Sequence, residues 1–286
     1  MTFDPRRVPA RPDLAAAHLR GEVEAERYAE ATVLAVMMPL APLTRHPESE
    51  GPLATQLIHG ETFVAYEQVD GWAWGQSQID GYVGYMPDAC LMPAVGAPNH
   101  RVVQTMTQIY PLPAMKTRPL GWLTYGARLE VVGFETGFAA LDTGGFVPVQ
   151  HLAALDAPAA DWVAEAERML GAPYLWGGRS PAGLDCSALV QLARQAAGHA
   201  CSRDSDMQCA ELGRSLAAGA PAERGDLVFW QGHVGIMLDG ERLLHANAHH
   251  MAVAIEPLAE ARARIESAGD GPMIRHARLD DSAEAR

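Results

Sequence analysis

Residues 173–190 read PYLWGGRSPAGLDCSALV, residues 224–238 read RGDLVFWQGHVGIML, and residues 243–248 read LLHANA. The first stretch is a Gly-rich loop that gives way at Asp185 to a helical pattern, CSALVQLARQAAG. That pattern is apolar at Leu189, Val190, Ala193, Ala196 and Ala197 and is stopped by Gly198. Upstream, DWVAEAERMLG (161–171) repeats the device, with Asp161 as cap and Gly171 as stop. DLVFW, HVGIML and RLLHANA then follow as short apolar runs parted by Gly-containing turns, which predicts successive strands of one antiparallel sheet. Helices followed by a run of strands make this half of the chain α+β.

The chemistry is concentrated in the same stretches. Cys186 stands at the start of a helix, where the unpaired amide groups carry partial positive charge and favour thiolate over thiol. Asp185 is the expected helix cap, and the Cys186 backbone N–H is placed to meet a developing oxyanion. A cysteine nucleophile needs an imidazole to take and return its proton, and the imidazole needs an orienting partner. His233 opens one predicted strand and His245 lies in the next, across a turn at Asp239-Gly240. A hairpin of that kind brings both rings to one face. Taken singly, a cysteine is more often core than nucleophile, and a pair of histidines among 11 carries little weight.

Toward the N-terminus the texture changes. Residues 31–156 are short strand-like runs punctuated by Gly and Pro, and they contain an internal echo. Gly60 matches Gly126, Gly71-Trp72 matches Gly137-Phe138, and Gly84-Tyr85-Met86-Pro87 matches Gly145-Phe146-Val147-Pro148. Two tandem small barrels are expected, 31–95 and 96–156, joined through the proline-bearing PAVGAPNHR at 93–101. Residues 1–30 are expected to form an N-terminal helical segment, with the helix over 13–30, and residues 157–286 to form the α+β catalytic domain.

Composition narrows the function classes. With 35 acidic against 22 basic side chains in 286 residues, the net charge of -13 repels phosphate backbones and anionic lipid, so neither nucleic acid nor a membrane is an expected partner. No stretch approaches the roughly 18 apolar residues of a membrane span, and no apolar signal-like run follows Arg6-Arg7. Four cysteines, at 90, 186, 201 and 209, make neither a disulfide framework nor a zinc-type CxxC pair, and a cytoplasmic location is the expectation.

Together the three opening stretches resemble the NlpC/p60 family of papain-like cysteine peptidases over about residues 160–280, and the upstream repeats resemble bacterial SH3-like domains. The resemblance implies the nucleophile at Cys186, the base at His233, the orienting residue at His245, and Tyr174 as the tyrosine that assists the oxyanion or holds the site; for Tyr174 and Trp176 the alternative is core packing. Ala188 stands where the family often has glycine. Two barrels ahead of such a domain, followed by SRDSDMQ (202–208), resemble the γ-D-glutamyl-L-diamino acid endopeptidases. Those act on murein peptides with a free N-terminal L-alanine, in cell-wall peptide recycling. That likeness carries Arg203, Asp204 and Ser205 over as substrate-binding positions around the peptide's ammonium, with Tyr82, Tyr85 and Glu50 from the first barrel. SRDSD also reads as a helix cap for MQCAELGRSL, and Glu50, in RHPESEGP, as a solvated charge. No cofactor or metal is implied. Competing readings are an amidase or acyltransferase built on the same thioester chemistry, a metal site at His245, His249 and His250, and an inert binding module.

Overall fold

The computed structural model describes residues 3–94 and 96–279; Val95, in the expected linker, lies outside them. The chain divides into two compact units, Met1–Ala157 and Pro158–Arg286.

The N-terminal unit holds both β-rich repeats. In the first, seven antiparallel strands lie in the spatial order 91–93, 32–36, 62–69, 72–77, 83–87, 40–44, 53–58. In the second, strand 100–102 lies between 128–129 and 152–154, as 32–36 lies between 62–69 and 91–93. The matched hairpins explain the echo in the sequence. Val69 pairs with Trp72 and Glu135 with Phe138, each across a two-residue turn whose residues both have positive φ: Asp70 and Gly71 at 51° and 81°, Thr136 and Gly137 at 46° and 84°. Turns of that hand match the twist of paired strands, which is why glycine recurs there.

The expected helix over 13–30 does not form. Leu14, Ala15 and Ala16 are a strand buried on both faces, followed by one 3-10 turn at Ala17–Leu19, by Gly21 at φ 90°, and by a strand at Arg27–Ala29. The helical spacing of the sequence yields to packing on the first repeat, where Leu14 joins Trp74 and Val83 in one apolar cluster. Arg11 lies over Trp74 at 4.5 Å and pairs with Asp13 and Glu67.

In the C-terminal unit the helices are α1 (Trp162–Glu167), α2 (Cys186–Ala196), α3 (Ser205–Glu211) and α4 (Leu258–Ala268). The strands are β1 (Arg214–Ser215), β2 (Leu227–Trp230), β3 (His233–Met237), β4 (Arg242–Asn247), β5 (Ala252–Pro257) and β6 (Arg275–Arg278). They form one antiparallel sheet in the order β1-β6-β2-β3-β4-β5. α2 is buried almost all round and packs on β3 and β4. Burying each of Leu189, Val190 and Leu192 contributes about 1.5–3 kcal/mol, which fixes the helix carrying Cys186 against the strands carrying the histidines. No helix among the described residues is long and apolar enough to cross a membrane.

Candidate active site

Cys186 is the first residue of α2. Asp185, extended at φ -97°, caps the helix by accepting from the Ala188 N–H at 2.9 Å, three residues on. The preceding Gly-rich loop serves this cap, since Gly177, at φ 74°, donates its N–H to the other Asp185 oxygen at 3.0 Å. A side chain at Gly178 would strike the Gly183 carbonyl, so the loop closes tightly only with glycine there. Ala188 is fully buried, and its methyl fits where the helix is enclosed.

Cys186 is 6% exposed, and its sulfur lies against the start of β3, 4.0 Å from the Gly232 carbonyl and hydrogen-bonded by the Val234 N–H. Those two residues flank His233. The His233 Nε2 is 2.8 Å from His245 Nδ1, with the rings edge to face at 5.1 Å. Gly235 makes this approach feasible, because a Cβ there would stand 2.6 Å from Leu243 and 3.3 Å from the His245 Cβ. Beyond it, His245 Nε2 meets Glu256 Oε1 at 2.7 Å, and Arg264 of α4 donates to the same oxygen. His245 pairs with Ala254 across the β4–β5 ladder, so Glu256 is its diagonal neighbour on the same face.

Burial decides the resting charges. Desolvation first, then the Asp185 carboxylate, pushes the Cys186 thiol up to about 12, only partly opposed by the Val234 N–H and Arg203. Desolvation first also pulls His233 to about 3, with His245 and Arg264 adding to it, and His245 to about 3, with Arg264, His250 and His249 adding. Burial thus opposes the thiolate expected from the helix start and opposes charge on both imidazoles.

Tyr174 is half-buried; desolvation first, with the Asp185 carboxylate adding, pushes its hydroxyl up to about 12, so it stays a donor. It lines a hollow of about 360 Å³ together with Trp230, His233, His245, Asn247 and Arg264. Trp176 is not core: it is 67% exposed.

The expected substrate-binding set separates. Arg203 is only 1% exposed and faces inward, its guanidinium bidentate on Asp185 at 2.9 and 2.7 Å and also on Ser187 and the Gly178 carbonyl. This corrects its expected contact with substrate: it is a strut between the starts of α2 and α3. Asp204, within the SRDSD stretch expected to cap the helix, stands at the N-cap of α3 without a side-chain cap bond, and Ser205 is the first helical residue. Both are half-buried. In the N-terminal unit, Tyr82 is 3% exposed, Tyr85 accepts from Arg11 at 3.0 Å, and Glu50 is exposed in its loop. His249 and His250 stack edge to face at 4.8 Å, while His245 is held by His233 and Glu256. Glu256 and Arg264 escaped sequence reasoning, because only the β4–β5 register sets Glu256 behind His245 and only the placing of α4 brings Arg264 to Glu256.

Residues 171–265 match the NlpC/P60 family model, and residues 43–91 match the bacterial dipeptidyl-peptidase SH3 domain. A probable endopeptidase of Mycobacterium tuberculosis is 36% identical over 92 residues, 31% of this chain and 23% of its own. A gamma-D-glutamyl-L-lysine dipeptidyl-peptidase of Bacillus subtilis is 34% identical over 99 residues, 32% of this chain and 33% of its own. The match thus spans only 23% to 33% of the length of these relatives. A crystal structure of an NlpC/P60 family protein from Bacillus cereus superposes with a TM-score of 0.73, covering 87% of this chain and 99% of that one at 20% identity, which establishes a common fold.

Proposed function

The C-terminal unit of this chain carries an NlpC/P60 domain behind a bacterial SH3 domain, and from that premise we propose a cysteine peptidase that hydrolyses γ-D-glutamyl to L-diamino acid bonds in small murein peptides. The observation that carries the chemistry is the Cys186 sulfur set against Gly232 and Val234, the two neighbours of His233, whose Nε2 lies 2.8 Å from His245 Nδ1. Cys186 Sγ attacks the scissile carbonyl carbon as its proton passes to His233. The oxyanion meets the Cys186 N–H, in the first helical turn where no intrahelical acceptor exists, and the Tyr174 hydroxyl. Collapse breaks the C–N bond, and His233 returns the proton to the leaving amine. Water, deprotonated by His233, then hydrolyses the thioester.

The substrate class rests on resemblance supported by Asp204. Its carboxylate stands at the start of α3, next in sequence to the Arg203 strut that ties α3 to the Cys186 helix. A carboxylate there suits the free α-ammonium of a short peptide, with Ser205 beside it. Such an enzyme would act on released peptides in the cytoplasm and spare intact wall. The test compares kcat/KM for L-Ala-γ-D-Glu-diaminopimelate and its N-acetylated form in wild type and Asp204→Asn. The free peptide should be preferred by orders of magnitude, and Asp204→Asn should shrink that preference. Equal cleavage of both by wild type contradicts the ammonium pocket.

A further inference from the structure

Behind His245 stands a buried carboxylate that the peptidase chemistry does not by itself require. Glu256 is 9% exposed, and its Oε1 receives both His245 Nε2 at 2.7 Å and the Arg264 guanidinium. A carboxylate in its ordinary ionised form accepts hydrogen bonds and donates none, and the same oxygen already accepts from Arg264. His245 must therefore carry its proton on Nε2. In the neutral ring that leaves Nδ1 bare, as the acceptor facing His233 Nε2 at 2.8 Å. His233 in turn must donate from Nε2, which leaves its own Nδ1 as the lone pair for the Cys186 proton. One carboxylate thus sets the tautomer of two rings in series.

We propose that Glu256 is a positioning residue of the active site, which through His245 fixes the His233 tautomer able to accept the proton of Cys186. Arg264 holds Glu256 in place from α4. The relay runs Glu256, His245, His233, Cys186, each on a different element: β5, β4, β3 and α2. Without Glu256, His245 is free to carry its proton on Nδ1. That proton opposes the His233 Nε2–H and turns His233 toward the tautomer with Nδ1 occupied, which cannot take the thiol proton. No proton needs to reach Glu256 at any step; its role ends with orientation and with balancing the imidazolium that forms on His233.

This inference rests on Cys186 and His233 being the reacting pair, so the test is chosen to read the relay without turnover. In the full chain labelled with 15N-histidine, His245 should show an unprotonated Nδ1 and a protonated Nε2, with its signals assigned through His245→Asn. In Glu256→Ala the His245 Nδ1 should move toward the protonated position, while the melting transition shows the variant folded. Kinetically, Glu256→Ala should lower kcat on the order of 10- to 100-fold with KM within about twofold, the scale seen when the outer partner of a metal-bound imidazole is removed. Glu256→Gln keeps a carbonyl oxygen that can accept from both His245 and Arg264, and should retain at least about fivefold more activity than Glu256→Ala. Should Glu256→Ala fail to fold, the Gln variant and the wild-type tautomer still decide. A proton on His245 Nδ1 in wild type, an unchanged His245 tautomer in folded Glu256→Ala, or equal activity of the Gln and Ala variants overturns the proposal. Inactivity of Cys186→Ala with those tautomers intact, or its continued turnover, speaks to the peptidase reading alone.

Discussion

Replacing Arg203 by Met removes the cation from a pair enclosed on both sides, since Arg203 is 1% and Asp185 8% exposed. Asp185 then keeps its bonds to the Gly177 and Ala188 N–H groups but loses two charged bonds of 2.9 and 2.7 Å. Breaking a buried pair on one side typically costs about 3–5 kcal/mol, because the remaining charge is uncompensated. For a unit of about 130 residues, an unfolding entropy near 2.1 cal/mol/K per residue makes 1 kcal/mol worth roughly 4 °C. The melting transition of the C-terminal unit should therefore drop by roughly 11–18 °C, read by calorimetry. Asp185→Asn added to Arg203→Met removes the orphaned charge, so the double variant should lose less than the sum of the single ones, with a coupling of about 2 kcal/mol or more. At temperatures where the variant is folded, kcat should fall through disturbance of the Cys186 helix start, with KM little changed. A raised KM with stability within about 0.5 kcal/mol of wild type would refute the strut and return Arg203 to the substrate pocket.

His233→Ala should lose about 10²- to 10⁴-fold in kcat, the range of a general base, whereas His245→Asn, which keeps a hydrogen-bonding side chain, should retain more than His245→Ala; identical activity of the last two, in the same assay, contradicts an orienting role. Stability should fall in mild acid. Both histidines are pulled to about 3 by burial, so between about pH 3 and 6.5 the unfolded chain binds more protons than the folded one. The loss below pH 6.5 should approach about 1.4 kcal/mol per pH unit for each histidine, and His245→Asn should flatten it; urea midpoints at pH 7, 6 and 5 independent of pH would count against a buried neutral pair.

The sequence carried the parts of this site that depend on local pattern. Asp185, Cys186 and Gly198 mark the two ends of α2, and HVGIM and RLLHAN are adjacent strands with His233 and His245 on one face. The glycines at 60, 71, 126 and 137 betray the repeat because positive φ demands them. What escaped depends on direction and register. Leu14–Ala16 has the spacing of a helix but is a strand, because tertiary burial on both faces outweighs propensity. Arg203 and Asp204 are neighbours in sequence, yet one points into the core and the other stands at a helix cap. Glu256 becomes a partner of His245 only through a diagonal across β4 and β5, and nothing in AVAIEP announces it. The sequence also held no sign of how deeply the sulfur is enclosed, and that desolvation pushes the Cys186 thiol up against the pull of the helix start.

During turnover Cys186 should carry the acyl half of the peptide as a thioester. Acid-quenching the protein during turnover of L-Ala-γ-D-Glu-diaminopimelate and mass-mapping its peptides should show L-Ala-D-Glu joined through the γ-carboxyl to the peptide containing Cys186. The adduct and the released diamino acid should both vanish in Cys186→Ala. Release of the diamino acid at an undiminished rate by Cys186→Ala would contradict a thioester at Cys186.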